Sequence, residues 1–286
     1  MKTLEITRAS GLVTTFVRAV RSGSKRPGAL AALPPVTLVM PRVVVDGAHV
    51  ARYGAICGFK PADGVPLIYP QMLTFPLITH YISSPDCPWP ALGTVHLANA
   101  ITQHQPLHAG DVVRVELQTG DLFVHEKGQV FDLNLRILRG DDLVWTATQT
   151  LLRVGVKPAT GQRYAGQAAV DAPLSCQTEF FAPANLGRRY GAVSGDRNPI
   201  HLSALSAKLF GFRRAIAHGM WTQARAAACL LPSHPLAQAS LNVEFKTPLF
   251  LPGKATLWSR RAAHGAQFEV RDGKGQKPHV RGQLAY

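Results

Sequence analysis

The chain repeats part of itself, and this repeat limits the folds that it can adopt. The segment Tyr53-Gly-Ala-Ile-Cys-Gly58 returns as Tyr190-Gly-Ala-Val-Ser-Gly195, an offset of 137 residues (190 − 53). A second pair, Leu67–Met72 and Ala215–Met220, is offset by 148 residues (220 − 72). Loops of unequal length absorb a difference of this size. The sequence therefore predicts two copies of one folding unit, and its 286 residues suit two small domains.

Apolar and polar residues alternate in both copies, which is typical of antiparallel strands with one buried face. The clearest examples are Val113–Leu117, Phe131–Ile137 and Leu241–Phe245. Apolar residues at helical spacing run from Met220 to Leu231, with a stretch of alanines that would let a sheet close tightly on the helix. We therefore predict an α+β fold in which an antiparallel sheet wraps one long central helix, twice. Turns between strands are expected at Gly120, Gly140 and Gly273.

Composition divides the chain into four predicted parts. They are an N-terminal lead-in at 1–40, a first domain at 41–153, a linker at 154–173 rich in Gly, Ala, Pro and Gln, and a second domain at 174–286. The lead-in is basic and includes a short predicted helix at 14–20. Its composition is also typical of a transit peptide, and a targeting role stays open. We prefer a lead-in that packs on the first domain, because Leu33–Met40 runs almost directly into the strand-like segment Arg42–Val45.

A polar segment of the second copy concentrates groups capable of acid/base chemistry. In Asp196-Arg-Asn-Pro-Ile-His201, Asn198 suits a helix N-cap and Pro199 the first helical position. A carboxylate before the cap and an imidazole in the first turn can hold one water between them. Gly219 opens the apolar helical run and would present a free backbone N–H to a developing oxyanion.

Plainer interpretations of these residues stay open when each is considered alone. Asp196 can be an ordinary turn residue, His201 a helix histidine with a satisfied side chain, and Gly219 the end of a loop. Their combined spacing is more specific than any one of them.

The segment from Tyr190 to His201, followed by Ala207-Lys208 and Ala217-His-Gly-Met220, resembles the signature of MaoC-type hydratases. These are (R)-specific enoyl-CoA hydratases and 3-hydroxyacyl-thioester dehydratases with the hotdog fold. The resemblance implies a double hotdog for this chain. It also implies a hydro-lyase of fatty acid metabolism that reversibly hydrates trans-2-enoyl thioesters to (R)-3-hydroxyacyl thioesters, without a metal or redox cofactor.

The resemblance assigns roles to four residues. Asp196 and His201 would be the catalytic pair, Gly219 the amide that polarises the thioester carbonyl, and Asn198 a supporting residue. The first copy has Phe59 where the second has Asp196, and it is about eleven residues shorter (148 − 137) where His201 lies. This half is therefore expected to be non-catalytic. It is similar to the N-terminal half of two-hotdog members of the family, which widens the channel for medium to long acyl chains.

The formal net charge is +14, from 31 Lys and Arg against 17 Asp and Glu. Such a surface attracts polyanions. Beside the hydratase motif, the phosphates of coenzyme A or an acidic acyl carrier protein are the expected partners, as carriers of the substrate thioester. Candidate contacts to carrier phosphates are the basic residues nearest the motif: Arg188, Lys208, Arg213 and Arg214. The sequence shows no nucleic-acid-binding motif, so no nucleic acid is expected.

Four scattered cysteines without metal-ligand spacing favour a reducing compartment and no metal site, and we expect a cytoplasmic protein. No apolar run approaches membrane-spanning length. The assembly expected is a monomer that forms its own pseudo-dimer, or a homodimer. A hotdog thioesterase, a non-catalytic acyl-thioester binding protein and a nucleic-acid binder remain alternatives. Release of free thiol would reveal the thioesterase, and substrate binding without hydration would reveal the binding protein. A nucleic-acid binder would show steeply salt-dependent binding.

Overall fold

The computed structural model describes residues 2–7, 23–25, 28–156, 160–167 and 173–286. The helix predicted at 14–20 and parts of the predicted linker lie outside these residues. Within them, six α-helices and an eleven-stranded sheet are formed. No helix in this part of the chain combines the length and apolar character needed to cross a membrane.

The first half of the chain contributes six strands and two α-helices. In chain order these are β1 (Lys2–Glu5), β2 (Val36–Val44), α1 (Gly47–Cys57), α2 (Pro70–Ser83), β3 (Thr94–Gln103), β4 (Val112–His125), β5 (Gly128–Arg139) and β6 (Asp142–Val154).

The second half contributes five strands and four α-helices. They are β7 (Ser175–Ala182), α3 (Leu186–Ser194), α4 (Pro199–Leu202), α5 (Ala204–Lys208), α6 (Gly219–Leu230), β8 (Ala239–Phe245), β9 (Gly253–Ala262), β10 (Gly265–Asp272) and β11 (Pro278–Ala285).

The order of the strands confirms the predicted repeat. The first half is arranged β2-β4-β5-β6-β3 and the second β7-β9-β10-β11-β8, which is the same order for corresponding strands. The two sheets meet where β3 pairs antiparallel with β8, from Ala98 opposite Glu244 to Gln103 opposite Ala239. The helices repeat as well, with α1 matching α3 and α2 matching α6. The predicted α+β architecture, a central helix wrapped twice by antiparallel sheet, is confirmed.

The alanines of α6 allow the close packing that the sequence predicted. Ala224, Ala226 and Ala227 are completely buried where the helix faces β10 and β11. The indole N–H of Trp221, on the same helix, donates to the carbonyl of Ile56 in α1 at 3.0 Å. The central helix of the second half therefore also contacts the first half, so residues of both halves can reach a common site.

One predicted turn is wrong. β4 continues through Gly120, and only its register with β5 changes, between Thr119 and Leu122. A side chain at Gly120 would bring a Cβ within 2.7 Å of the amide nitrogen of Asn134, so the glycine serves a close strand approach at a bulge. The turns at Gly140, which has φ of 62°, and at Gly273 do separate strands.

Two segments outside the predicted domains also belong to the sheet. β2 begins at Val36, before the predicted domain start at 41, and pairs in parallel with β1 of the lead-in. In the predicted linker, Arg163 bridges to Val124 of β4, and the backbone N–H of Gln167 donates to Glu244 of β8 at 3.0 Å. Single-sequence patterns did not indicate either contact.

Candidate active site

Asp196 follows directly after α3, at a sharp change of chain direction. Gly195 ends the helix in the left-handed conformation with φ of 78°, which glycine adopts without strain. The carboxylate Oδ1 of Asp196 then accepts the backbone N–H of Asn198 at 3.1 Å. About a third of the Asp196 side chain is exposed (34%), so the carboxylate is fixed in orientation and still accessible to a small molecule.

His201 lies in the short helix α4, which begins as predicted at Asn198. The side chain of Asn198 accepts the N–H of Ile200 at 3.3 Å and caps the helix. The ring Nδ1 of His201 lies 2.8 Å from the carbonyl oxygen of Ile216. Because a carbonyl can only accept, Nδ1 must carry the proton, and the neutral ring keeps its lone pair on Nε2. The buried His201 therefore offers a base at Nε2.

His218 is a site residue to which the sequence interpretation gave no role. Its Nε2–H donates to the backbone carbonyl of Asp196 at 3.0 Å, and its ring stacks on that of His201, with 3.7 Å between centroids. It is also the N-cap residue of α6. The one available signal was its position in the chain, next to Gly219. His218 thus connects the loop of Asp196, the ring of His201 and the start of α6.

Burial and mutual charge set the protonation states of the three side chains. Burial alone would raise the pKa of Asp196, but the imidazoles of His218 and His201 and the Asn198 N–H outweigh it and hold the pKa below its ordinary value. Burial lowers the pKa of His201, although Asp196 and the Ile216 carbonyl oppose the shift. Burial and the neighbouring His201 lower the pKa of His218 to about 4. At neutral pH the site therefore holds one carboxylate and two neutral imidazoles.

Asp196, His201 and His218 each place one polar atom within 4.8 Å of the others. A water that makes two ordinary hydrogen bonds spans a gap of this size. The same spacing raises the question of a metal ion. The contacts of the two rings do not exclude a metal ion, so the absence of a metal requirement stays a prediction.

Gly219 is the first residue of α6, where its N–H has no carbonyl partner within the helix. A Cβ built on Gly219 would lie 2.7 Å and 2.8 Å from two ring carbons of Phe245. The absence of a side chain at Gly219 therefore lets Phe245 of β8 pack closely across the start of α6 without displacement. The ring of Phe245 also lies 4.7 Å from the ring of His96 in β3.

His96 shows that the first half contributes to the site. Burial lowers the pKa of His96 to about 4, and the carboxylate of Asp196 is close enough to oppose that shift. The Nε2–H of His96 donates to the carbonyl of Ala98 at 3.1 Å. Since only the second copy carries the motif, sequence reasoning missed His96. The pairing of β3 with β8, which brings it there, is a long-range contact.

The position corresponding to Asp196 in the first half carries Phe59, as the repeat predicted. Gly58 ends α1 in the left-handed conformation with φ of 86°, as Gly195 ends α3, and the next residue is Phe59. Phe59 is buried and stacks on Tyr53 at 6.5 Å. The ionisable side chain of this site is thus replaced by an apolar one in the first half.

The four predicted phosphate contacts are all exposed, but they do not form one cluster around the carboxylate. Arg188 donates to the carbonyl of Leu202 at 3.0 Å. Arg213 and Arg214 lie over the ring of Phe250, at 4.5 Å and 5.6 Å. Lys208 is the last residue of α5. Their role in carrier binding stays a prediction.

Comparison with known proteins gives consistent results. Residues 167–275 match the family model described as MaoC like domain. Over 249 residues, 87% of this chain and 88% of the relative, the sequence is 34% identical to 3-hydroxyacyl-thioester dehydratase X of Mycobacterium tuberculosis. The crystal structure of that protein, HtdX, superposes with a TM-score of 0.72 at 31% identity and covers 87% of this chain and 98% of its own.

Two more distant structures show the same fold. A MaoC-like dehydratase from Phytophthora capsici has a TM-score of 0.73 at 18% identity, over 88% of this chain and 95% of its own. A Mycobacterium tuberculosis protein described as having a double hotdog fold has a TM-score of 0.52 at 12% identity, over 86% and 94%. This chain therefore belongs to the MaoC-like dehydratases, enzymes of the hydro-lyase class, and its two halves form a double hotdog.

Proposed function

We propose that the protein reversibly hydrates trans-2-enoyl thioesters to (R)-3-hydroxyacyl thioesters, with Asp196 and His201 as its acid/base pair. The observation that carries the proposal is an ionised carboxylate and a neutral imidazole at water-bridging distance, with the free Nε2 of His201 available as base. The name of the M. tuberculosis relative supports the substrate class. Acid/base groups so placed contribute roughly 10²–10⁴-fold each.

The protonation states favour a mechanism in which one proton is taken from water and then delivered to C2. Neither Asp196 nor His201 holds a spare proton at neutral pH, because the pKa values of both lie below their ordinary values. In hydration, Nε2 of His201 takes a proton from the bridging water while the water oxygen bonds to C3. The electrons of the double bond move toward C2 and the thioester oxygen. The same proton then reaches C2, from His201 directly or through Asp196, so the atoms of one water are added.

Gly219 would stabilise the negative charge that develops on the thioester oxygen. Its N–H stands at the positive end of α6, next to the water-binding pair, because His218 is both the N-cap of that helix and a partner of Asp196. A backbone donor of this kind needs no reorganisation during the reaction. Removing one such donor costs roughly 10²–10³ in kcat. The chemistry proposed here requires no metal or redox cofactor.

We further propose medium to long acyl chains as substrates. Support comes from the first half, where the buried apolar side chain of Phe59 stands at the position that Asp196 occupies in the second half. An apolar side chain there favours an acyl chain over a polar group. The (R) configuration rests on the family signature from Tyr190 to His201.

The direct test is to incubate the purified protein with trans-2-enoyl-CoA substrates of graded chain length. Loss of the enoyl absorbance measures hydration, and chiral chromatography identifies the product. We expect the (R)-3-hydroxyacyl thioester, with kcat/KM rising toward medium and long chains, also after treatment with a chelator. An (S) product, or release of free thiol without hydration, would contradict the proposal, and the second outcome would indicate a thioesterase.

A further inference from the structure

The chain around the site is almost free of acidic residues. Between Glu179 and Glu244 the sole carboxylate is that of Asp196, which belongs to the site, whereas the same stretch contains seven Lys and Arg. This stretch therefore carries a net charge of +6 (7 − 1) out of the chain's +14. Such a concentration of one sign steers a partner of the opposite sign and raises its association rate.

Large apolar side chains are exposed within this basic stretch. Leu205 is 77% exposed and Leu209 is 80% exposed, and their spacing of four residues places them on one face of α5 and its C-terminal end. Phe210 follows and is 39% exposed. Exposed leucines next to each other are uncommon on a surface that meets only water, and they mark sites of protein contact.

Basic groups lie within the same surface. Lys208 lies between the two leucines in sequence and Arg213 follows them, and in the described part of the chain neither lies within ion-pair distance of a carboxylate. We call Leu205, Lys208, Leu209, Phe210 and Arg213 the α5 surface. It combines positive charge that has no ion-pair partner with exposed apolar area, and one partner can satisfy both.

The α5 surface is joined directly to the helix that carries His201. The hydroxyl of Ser206, in α5, donates to the carbonyl of Pro199 in α4 at 2.7 Å. The backbone N–H of Ile216 donates to the carbonyl of Ile200 at 3.1 Å, which brings the chain after Arg213 back to α4. A partner on this surface would sit one short helix away from the base.

We propose that the α5 surface docks an acidic acyl carrier protein that presents the enoyl thioester on its phosphopantetheine arm. This inference rests on the proposed function, and it selects between the two carriers that the sequence left open. The phosphates of coenzyme A match the basic groups but leave Leu205 and Leu209 in water. A second copy of the chain in a symmetric contact would place Lys208 and Arg213 against like charges. An acidic protein with apolar side chains matches both features.

The test compares three forms of one enoyl group: on acyl carrier protein, on coenzyme A and on N-acetylcysteamine. The variants are Lys208→Glu/Arg213→Glu, which changes the charge, and Leu205→Ser/Leu209→Ser, which removes the apolar contacts. The matched control is Arg42→Glu/Arg260→Glu, which changes the net charge equally at exposed residues of β2 and β9.

For the wild type we expect kcat/KM to be higher on carrier protein than on coenzyme A, and to fall steeply with added salt on the carrier protein only. In both α5-surface variants, the ratio of kcat/KM on carrier protein to that on N-acetylcysteamine should fall by roughly tenfold or more. The control should keep the wild-type ratio.

Other outcomes would overturn the docking proposal and identify a different occupant. If the charge variant lowers kcat/KM on coenzyme A alone, the surface binds nucleotide phosphates. If all three substrates lose rate together with a smaller mass in light scattering, the surface joins two copies of the chain. If the variants abolish sedimentation with anionic lipid vesicles but leave carrier-protein turnover intact, it meets a membrane. Wild-type protein that hydrates none of the three substrates would instead contradict the proposed function itself.

Discussion

The contact between Gly219 and Phe245 allows a specific test of the oxyanion assignment. In Gly219→Ala the added methyl would start 2.7–2.8 Å from two ring carbons of Phe245, whereas ordinary contacts are about 3.5–4.0 Å. The ring or the start of α6 must therefore move by about 1 Å. Overpacking of this kind costs about 1–3 kcal/mol of stability. The backbone N–H is retained, so the substitution displaces this donor without removing it.

A displacement of about 1 Å in an active site can lower the rate by about 10²-fold. We expect Gly219→Ala to lower kcat for enoyl-thioester hydration by about that factor. Removing the ring in the double variant Gly219→Ala/Phe245→Ala should restore at least about tenfold of the rate, while Phe245→Ala alone has a smaller effect. Steady-state hydration kinetics and thermal unfolding of all four proteins complete the double-mutant cycle. Wild-type activity in Gly219→Ala, or a double variant no faster than the single one, would refute the reasoning.

Three further predictions concern the ionisable groups and the cap. The pKa values of His201 and Asp196 lie below their ordinary values. We therefore expect kcat/KM to stay constant from about pH 8 to below pH 6.5, the ordinary pKa of histidine, and to decline only at lower pH. A decline centred at or above pH 6.5 would contradict the assignment. Asn198→Ala should cost about 1 kcal/mol in denaturant unfolding through the lost cap. It should also lower kcat, because the loop between the two proposed acid/base groups loosens. Burial lowers the pKa of His218 to about 4 in the folded protein, against about 6.5 in the unfolded chain. As the pH falls, the unfolded chain therefore binds this proton first. The free energy of unfolding should decrease between these two pH values, by about 2 kcal/mol at pH 5. His218→Gln should remove that part of the loss in unfolding experiments at pH 7 and 5, and an unchanged difference would show that His218 is not buried neutral.

Much of the fold could be predicted because it depends on local pattern. Alternation located β4, β5 and β8. The repeat of Tyr53-Gly-Ala as Tyr190-Gly-Ala indicated two copies of one unit, and the structure places the two segments in α1 and α3. Gly120 was misinterpreted because glycine before a polar residue is compatible with a bulge as well as with a turn. The distinction depends on the neighbouring strand, which a single strand's sequence does not describe.

The site was predictable only where the chain itself brings its parts together. Asp196, Asn198 and His201 lie within six residues, so local helix-start chemistry fixes their relation. His96 and Phe245 reach the site through the pairing of β3 with β8, far apart in sequence. The role of His218 could not be inferred from spacing alone, because it depends on a hydrogen bond to a backbone carbonyl. Long-range packing, which periodicity does not encode, places these three residues.

The most direct test of the central claim is the hydration rate of Asp196→Asn and His201→Gln on one trans-2-enoyl thioester. Asp141→Asn and His264→Gln, at exposed positions, serve as matched controls. We expect each site variant to lose roughly 10²-fold or more in kcat with an unchanged circular dichroism spectrum, while both controls keep the wild-type rate. Folded site variants that hydrate the substrate at the wild-type rate would contradict the account.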